Sequence, residues 1–77
     1  MHQWLITVKA HSLPRIITQY LEIMSGVDKT SIKVQNKMGG KVKFVFEGNE
    51  YGLLHKLNYL NYKSNCSILK IKRGYKV

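Results

Sequence analysis

Lysine recurs at alternate positions in four short apolar stretches: Leu5-Ile6-Thr7-Val8-Lys9, Ile32-Lys33-Val34-Gln35, Lys41-Val42-Lys43-Phe44-Val45-Phe46 and Ile68-Leu69-Lys70-Ile71-Lys72. An extended chain sends successive side chains to opposite faces. The spacing therefore predicts a sheet with Lys9, Lys33, Lys41, Lys43, Lys70 and Lys72 on one face, and Lys37 and Arg73 extending that patch. Ile6, Val8, Ile32, Val34, Val42, Phe44, Phe46, Leu69 and Ile71 would fill the other. A lysine ammonium is a flexible point charge suited to phosphate, and it lacks the arginine fork that reads bases. The chemistry expected of such a face is capture of a polyanion through its backbone, with steep salt dependence and little sequence preference. The alternative is a solvated face kept basic against edge pairing and aggregation. Like charges crowded on one face repel, which weighs against that alternative.

A second group is Tyr51, His55, Tyr59 and Tyr62, spaced four, four and three apart, with Lys56 and Lys63 nearby. On a helix they form one stripe. They are either a secondary stacking or partner contact beside basic charge, or rings covering the rim of a small core.

The remaining reactive residues point away from catalysis. His2, His11 and His55 have no second ligand at metal spacing, so no metal site is expected. His11 follows the first strand, beside Ser12 and near Arg15. Metal-free RNA cleavage needs a base of near-neutral pKa among cations, but one loop histidine is too little to support it. Glu22, Asp28, Glu47 and Glu50 show no pairing suited to two-metal chemistry. Met38-Gly39-Gly40-Lys41 lacks the length and the ending of a phosphate-binding P-loop and reads as a turn. Cys66 is the only cysteine, which excludes an intramolecular disulfide; it reads as a small residue opening the last strand. The expectation is a non-enzyme without cofactor.

The elements that must hold these residues follow from periodicity. Residues 3–10 read as a first strand. Ser12 offers an N-cap with Pro14 in the first turn, and Leu13, Ile16, Ile17, Tyr20, Leu21 and Met24 mark a helix face that Gly26 ends. A strand over 30–36, a turn at Met38-Gly39-Gly40 and a strand over 41–47 make a hairpin. Asn49 caps a helix over 50–62 with Leu53, Leu57 and Leu60 inward and Leu54 beside them; Ser64-Asn65 breaks it, and 66–73 is the last strand. The order β-α-β-β-α-β predicts a ferredoxin-like α+β fold, a four-stranded antiparallel sheet with two helices on one face. Right-handed crossovers give the strand order 4-1-3-2. Seventy-seven residues fit one small domain, 1–77, burying about 60% of its unfolded surface.

RNA-recognition domains share this order, but they place stacking aromatics on the open face of the first and third strands. Here Phe44 and Phe46 have core parity, and the open positions are Leu5, Thr7, Lys9, Lys43 and Val45. The strand-helix order, with a loop and Pro14 after the first strand, resembles small amino-acid-binding regulatory domains of the ACT type. That resemblance implies a dimer responding to a small ligand, although His11-Ser12-Leu13-Pro14-Arg15 carries no glycine where those domains usually have one. Lys37-Met38-Gly39-Gly40-Lys41-Val42 is similar, over these few residues, to the glycine-pair turn of small basic phycobilisome linker domains.

Thirteen Lys and Arg against four Asp and Glu give a net charge of +9. Together with the one-sided lysines this predicts a basic protein that binds nucleic acid, RNA or DNA, through the open sheet face. The runners-up are a protein–protein interaction or inhibitor module, viral among the options, docking on an acidic protein surface, and the ACT-like regulatory subunit. Edge pairing into a homodimer is compatible with each. No segment reaches the roughly 20 apolar residues of a membrane span. Met1-His2-Gln3-Trp4 lacks signal-peptide order, so a cytoplasmic protein is expected.

Overall fold

A computed structural model describes residues 2–11, 13–35 and 40–74. The elements are β1 (His2–Ala10), α1 (Pro14–Ile23), β2 (Val27–Gln35), β3 (Lys41–Gly48), α2 (Glu50–Ser64) and β4 (Cys66–Arg73). They form a ferredoxin-like α+β fold with an antiparallel sheet of order β2-β3-β1-β4. Read from the other edge this is the expected 4-1-3-2. β1 and β3 are central, and β2 and β4 are the edges.

The core lies between the sheet and the helices. Trp4, Ile6, Val8 and Ala10 of β1 alternate into it with Val42, Phe44 and Phe46 of β3. Ile17 and Leu21 of α1, and Leu53, Leu57 and Leu60 of α2, close it from above. Trp4 belongs to the core by its parity with Ile6 and Val8; its indole Nε1 donates to the Gly48 carbonyl at 3.1 Å.

α1 starts on Pro14, whose missing N–H is no loss in a first turn. The residue at the cap position is Leu13, which supplies no side-chain hydrogen bond. The expected cap Ser12 lies outside the described residues. The helix ends at Ile23, before Gly26, which turns the chain into β2 at φ 88°. A Cβ there would sit 2.6 Å from Phe46 Cε1, so both the conformation and the space require glycine. Leu13, Ile23 and Leu54 are exposed.

α2 begins as expected: Asn49 Oδ1 accepts from the Gly52 N–H at 2.7 Å. Glu50 in the first turn and Lys63 in the last complement the helix dipole. Asn49→Ala is expected to cost about 1 kcal/mol, read as a lower urea midpoint at unchanged slope. An unchanged midpoint would show the cap to be idle. The helix continues two residues past the expected 62, and Asn65 in the left-handed region, φ 49°, ends it.

Two strands depart from simple alternation. In β2, Asp28 pairs with Val45 and Lys33 with Lys43, so Lys29–Ile32 stands opposite Phe44 alone. Asp28 Oδ1 accepts from the Thr30 N–H and hydroxyl, at 3.0 and 2.7 Å. The Ser31 hydroxyl donates to the Asp28 carbonyl and accepts from the Val45 N–H at 2.8 Å. The strand therefore starts at Val27, earlier than its local pattern indicates, and detours once. In β4, Thr7 pairs with Lys70 and Val8 with Ile68, leaving Leu69 as an extra residue in a bulge. The expected core set is corrected accordingly. Ile68 pairs with inward-facing Val8, and Leu69 has no partner. Ile71 has core parity opposite Ile6 but is exposed on the edge, as is Val34 on β2.

The turn expected at 38–40 lies largely in residues 36–39, outside the described set. Gly40 is described: its φ is 66° and its carbonyl accepts from Ala10 N–H at 2.9 Å.

Candidate nucleic-acid interface

The cross-strand register assembles the open face in rows. The first row runs Gln35, Lys41, Lys9, Ser67 from the β2 edge to the β4 edge. The second runs Lys33, Lys43, Thr7, Lys70, and the third Asp28, Val45, Leu5, Lys72. Beyond them Glu47 faces Gln3. The two edge irregularities are what bring Lys33 and Lys70 into one row with Lys43, and Lys72 into the next.

Lys9, Lys33, Lys41, Lys43, Lys70 and Lys72 thus share the face that no helix covers. Lys41 stands directly opposite Lys9, and Lys33 opposite Lys43. Directly opposed side chains have Cβ atoms about 5 Å apart, so these pairs repel. Lys9, Lys41 and Lys43, on the central strands, are half-buried; Lys33, Lys70 and Lys72 are exposed. The two acids of the face, Asp28 and Glu47, sit toward one end, which makes the field along the strands uneven. At the lysine-rich end the His11 Nε2 and Ser67 Oγ are hydrogen-bonded.

Other lysines have partners in the fold. Lys29 Nζ donates to the Met24 carbonyl at 2.6 Å and the Val27 carbonyl at 3.1 Å. Lys56 Nζ lies 3.0 Å from Ser25 Oγ. Lys63 Nζ lies 5.9 Å from the Tyr59 ring centre and 5.4 Å from that of Tyr62.

Two members of the expected patch are not placed on the open face. Arg73 pairs with Trp4, whose side chain is in the core, so its parity is that of the helix side. It falls there by alternation, since Lys72 faces the open side and the next residue faces the helices. Lys37 lies outside the described residues.

The aromatic stripe is on α2, across the molecule from the lysines. Tyr51 and Tyr62 are 86% and 82% exposed. Tyr59 meets Tyr20 edge-on at 6.1 Å, tying α2 to α1. His55 and Tyr59 line a hollow of about 300 Å³ with Tyr20, Ile23 and Met24. The fold therefore places the two expected groups on opposite sides of the sheet.

One part of the face was not anticipated from the sequence. Val45 has open-face parity, yet only 8% of it is exposed. Together with Leu5 it floors a depression of about 510 Å³ bounded by Asp28, Thr30, Ser31, Lys33, Gln35 and Lys43. The β2 detour shapes it, and its sequence signal is Asp28 two residues before Thr30, a spacing at which aspartate caps its own turn.

Cys66 is buried beneath the sheet's end. Burial pushes its thiol above the usual range, against a smaller lowering by Ser64, whose hydroxyl lies 3.7 Å from Sγ. Raised, buried thiols are poor nucleophiles. Among the described residues no three His, Cys, Asp or Glu side chains come together as a metal-binding group, and no helix is long and apolar enough to cross a membrane. No family model matches the sequence, and no curated protein matches it.

Proposed function

We propose that this protein is a non-catalytic nucleic-acid-binding domain that holds the phosphate backbone of RNA or DNA on its open sheet face. The observation that carries this reading is the register: six lysines from four strands on one uncovered face, two pairs of them directly opposed. Opposed lysines lower stability, and a surface needing only solubility is better served by interspersed charges. An array of ammonium groups at strand spacing suits a polymer with a charge on every repeat, because each contact releases a counterion. Lys33, Lys43 and Lys70 form the middle of the contact; Lys9, Lys41 and Lys72 flank it.

The test is a salt titration of binding to labelled single- and double-stranded oligomers. Each lysine–phosphate contact contributes a slope of about −0.7 on single strands and −0.9 on duplexes to log K against log salt. Six contacts give about −4 to −5 in total. A slope shallower than about −2, or no binding at low salt, overturns the reading. In that case an acidic protein surface becomes the partner to seek.

A further inference from the structure

We infer that the depression floored by Leu5 and Val45 is a seat for one unpaired base, which makes the ligand single-stranded and favours bases with an exocyclic amino group. This deepens the proposed function and rests on it. The volume, about 510 Å³, lies in the range of roughly 300–1,000 Å³ typical of small-ligand sites. Its floor is aliphatic, so it takes a planar ring by apolar contact. Leu5 and Val45 are cross-strand partners on the central strands, which fixes the floor in place.

The rim sorts the parts of a nucleotide by charge. Lys33 and Lys43, one row away from the floor, bound the depression on the lysine-rich side, where a phosphate is stabilised. Asp28, in the floor's own row, bounds it at the β2 edge. A carboxylate repels phosphate and accepts from an amino group, as acidic side chains do from cytosine N4. Its place is secured because Oδ1 already holds the Thr30 N–H and hydroxyl. A base seated there has its phosphates toward Lys33 and Lys43 and its amino edge toward Asp28. Bases stacked inside a duplex cannot reach the floor, so a double strand contacts only the lysines.

The experiment compares the wild-type chain with Asp28→Asn, at neutral pH and equal salt, on oligo-rC, oligo-rU and a duplex of the same length. The asparagine carbonyl can still accept from Thr30, so the turn is kept while the charge goes. The wild type is expected to bind oligo-rC at least about fivefold tighter than oligo-rU, the low end of a good base contact, and to bind oligo-rU tighter than duplex. Asp28→Asn should bind oligo-rU and the duplex more tightly, having lost a repulsive charge, and should lose the preference for C over U, having lost the acceptor for the amino group. A second variant, Leu5→Thr, trims the floor and should narrow the gap between single strand and duplex at unchanged salt slope. Equal binding of oligo-rC and oligo-rU by the wild type, or a preference that survives Asp28→Asn, overturns the base seat and leaves the lysine face standing. Absence of binding to any of the three at low salt overturns both.

Discussion

Lys41→Glu with Lys43→Glu is expected to remove nucleic-acid binding while leaving the fold at least as stable as before. The two positions lie on β3, between the β2 lysine and β1, so the reversal cuts the face through its middle. It replaces two attractions by two repulsions, an effective change of about four charges. At about 0.9 of a log unit per contact for each decade of salt, binding near 0.1 M should fall on the order of a thousandfold. Stability should move the other way. One introduced carboxylate would stand opposite Lys9 and the other opposite Lys33, turning two like-charged cross-strand pairs into opposite ones. Such pairs are worth about 0.5 kcal/mol each at low salt, less once screened. The measurement is anisotropy alongside a urea titration of the same preparation. Affinity retained within about tenfold would remove the open face as the binding site. Lost affinity with a lowered midpoint would mean that the change acted through the fold.

The second large effect is on stability. Phe44→Ala is expected to remove about 3–5 kcal/mol, from about a quarter to all of the chain's stability. Phe44 is 1% exposed, lies on the central strand β3 and pairs with Ile6 of β1. On its other flank the detour sets Lys29–Ile32 of β2 against this one position, so no regular ladder neighbour can close over a cavity. Removing a buried phenyl ring costs about 3–5 kcal/mol. The whole chain, at roughly 0.05–0.15 kcal/mol per residue, has about 4–12 kcal/mol to lose. At about 4–8 °C per kcal/mol for a domain of this size, the melting temperature should drop by about 15 °C or more. A melt within a few degrees of the wild type would contradict the burial of that ring. Phe44→Leu, which keeps most of the volume, separates packing from aromaticity and should cost far less.

The element order and the lysine face were legible because both rest on period-two alternation, which survives in β1 and β3 without interruption. Ile6, Val8, Val42 and Phe44 point inward for the same reason that Lys9, Lys41 and Lys43 point outward. The cap at Asn49 was legible because its oxygen acts within three residues. The edge strands were harder. Leu69 is extra only relative to β1, and nothing in Ile68-Leu69-Lys70-Ile71 marks which residue β1 will skip. The skipped residue moves Ile68 to the side of Val8, whereas Arg73 takes the helix side simply by following Lys72. In β2 the polar run Asp28-Lys29-Thr30-Ser31 looks like loop, and it belongs to a strand because Val27 and Asp28 already pair with Phe46 and Val45 of β3, while the Ser31 hydroxyl takes the Val45 N–H across the detour. The placement of Tyr51 and Tyr62 away from the lysines followed from the fold rather than from the helix stripe, since one helix cannot state which side of a sheet it will cover.

β1 takes its two neighbours from distant parts of the chain: β3 begins at Lys41 and β4 at Cys66. β1 is therefore enclosed only once both have formed. Pairings across such separations carry a high entropic cost before they return any contact, so folding should be slow for a chain of this size. During synthesis the β1–β3 pair must wait with one edge unpaired until Cys66–Arg73 has emerged. In that interval the Ile6 and Val8 edge is the segment most open to wrong partners, and Lys9 at its end is the kind of residue that keeps them away.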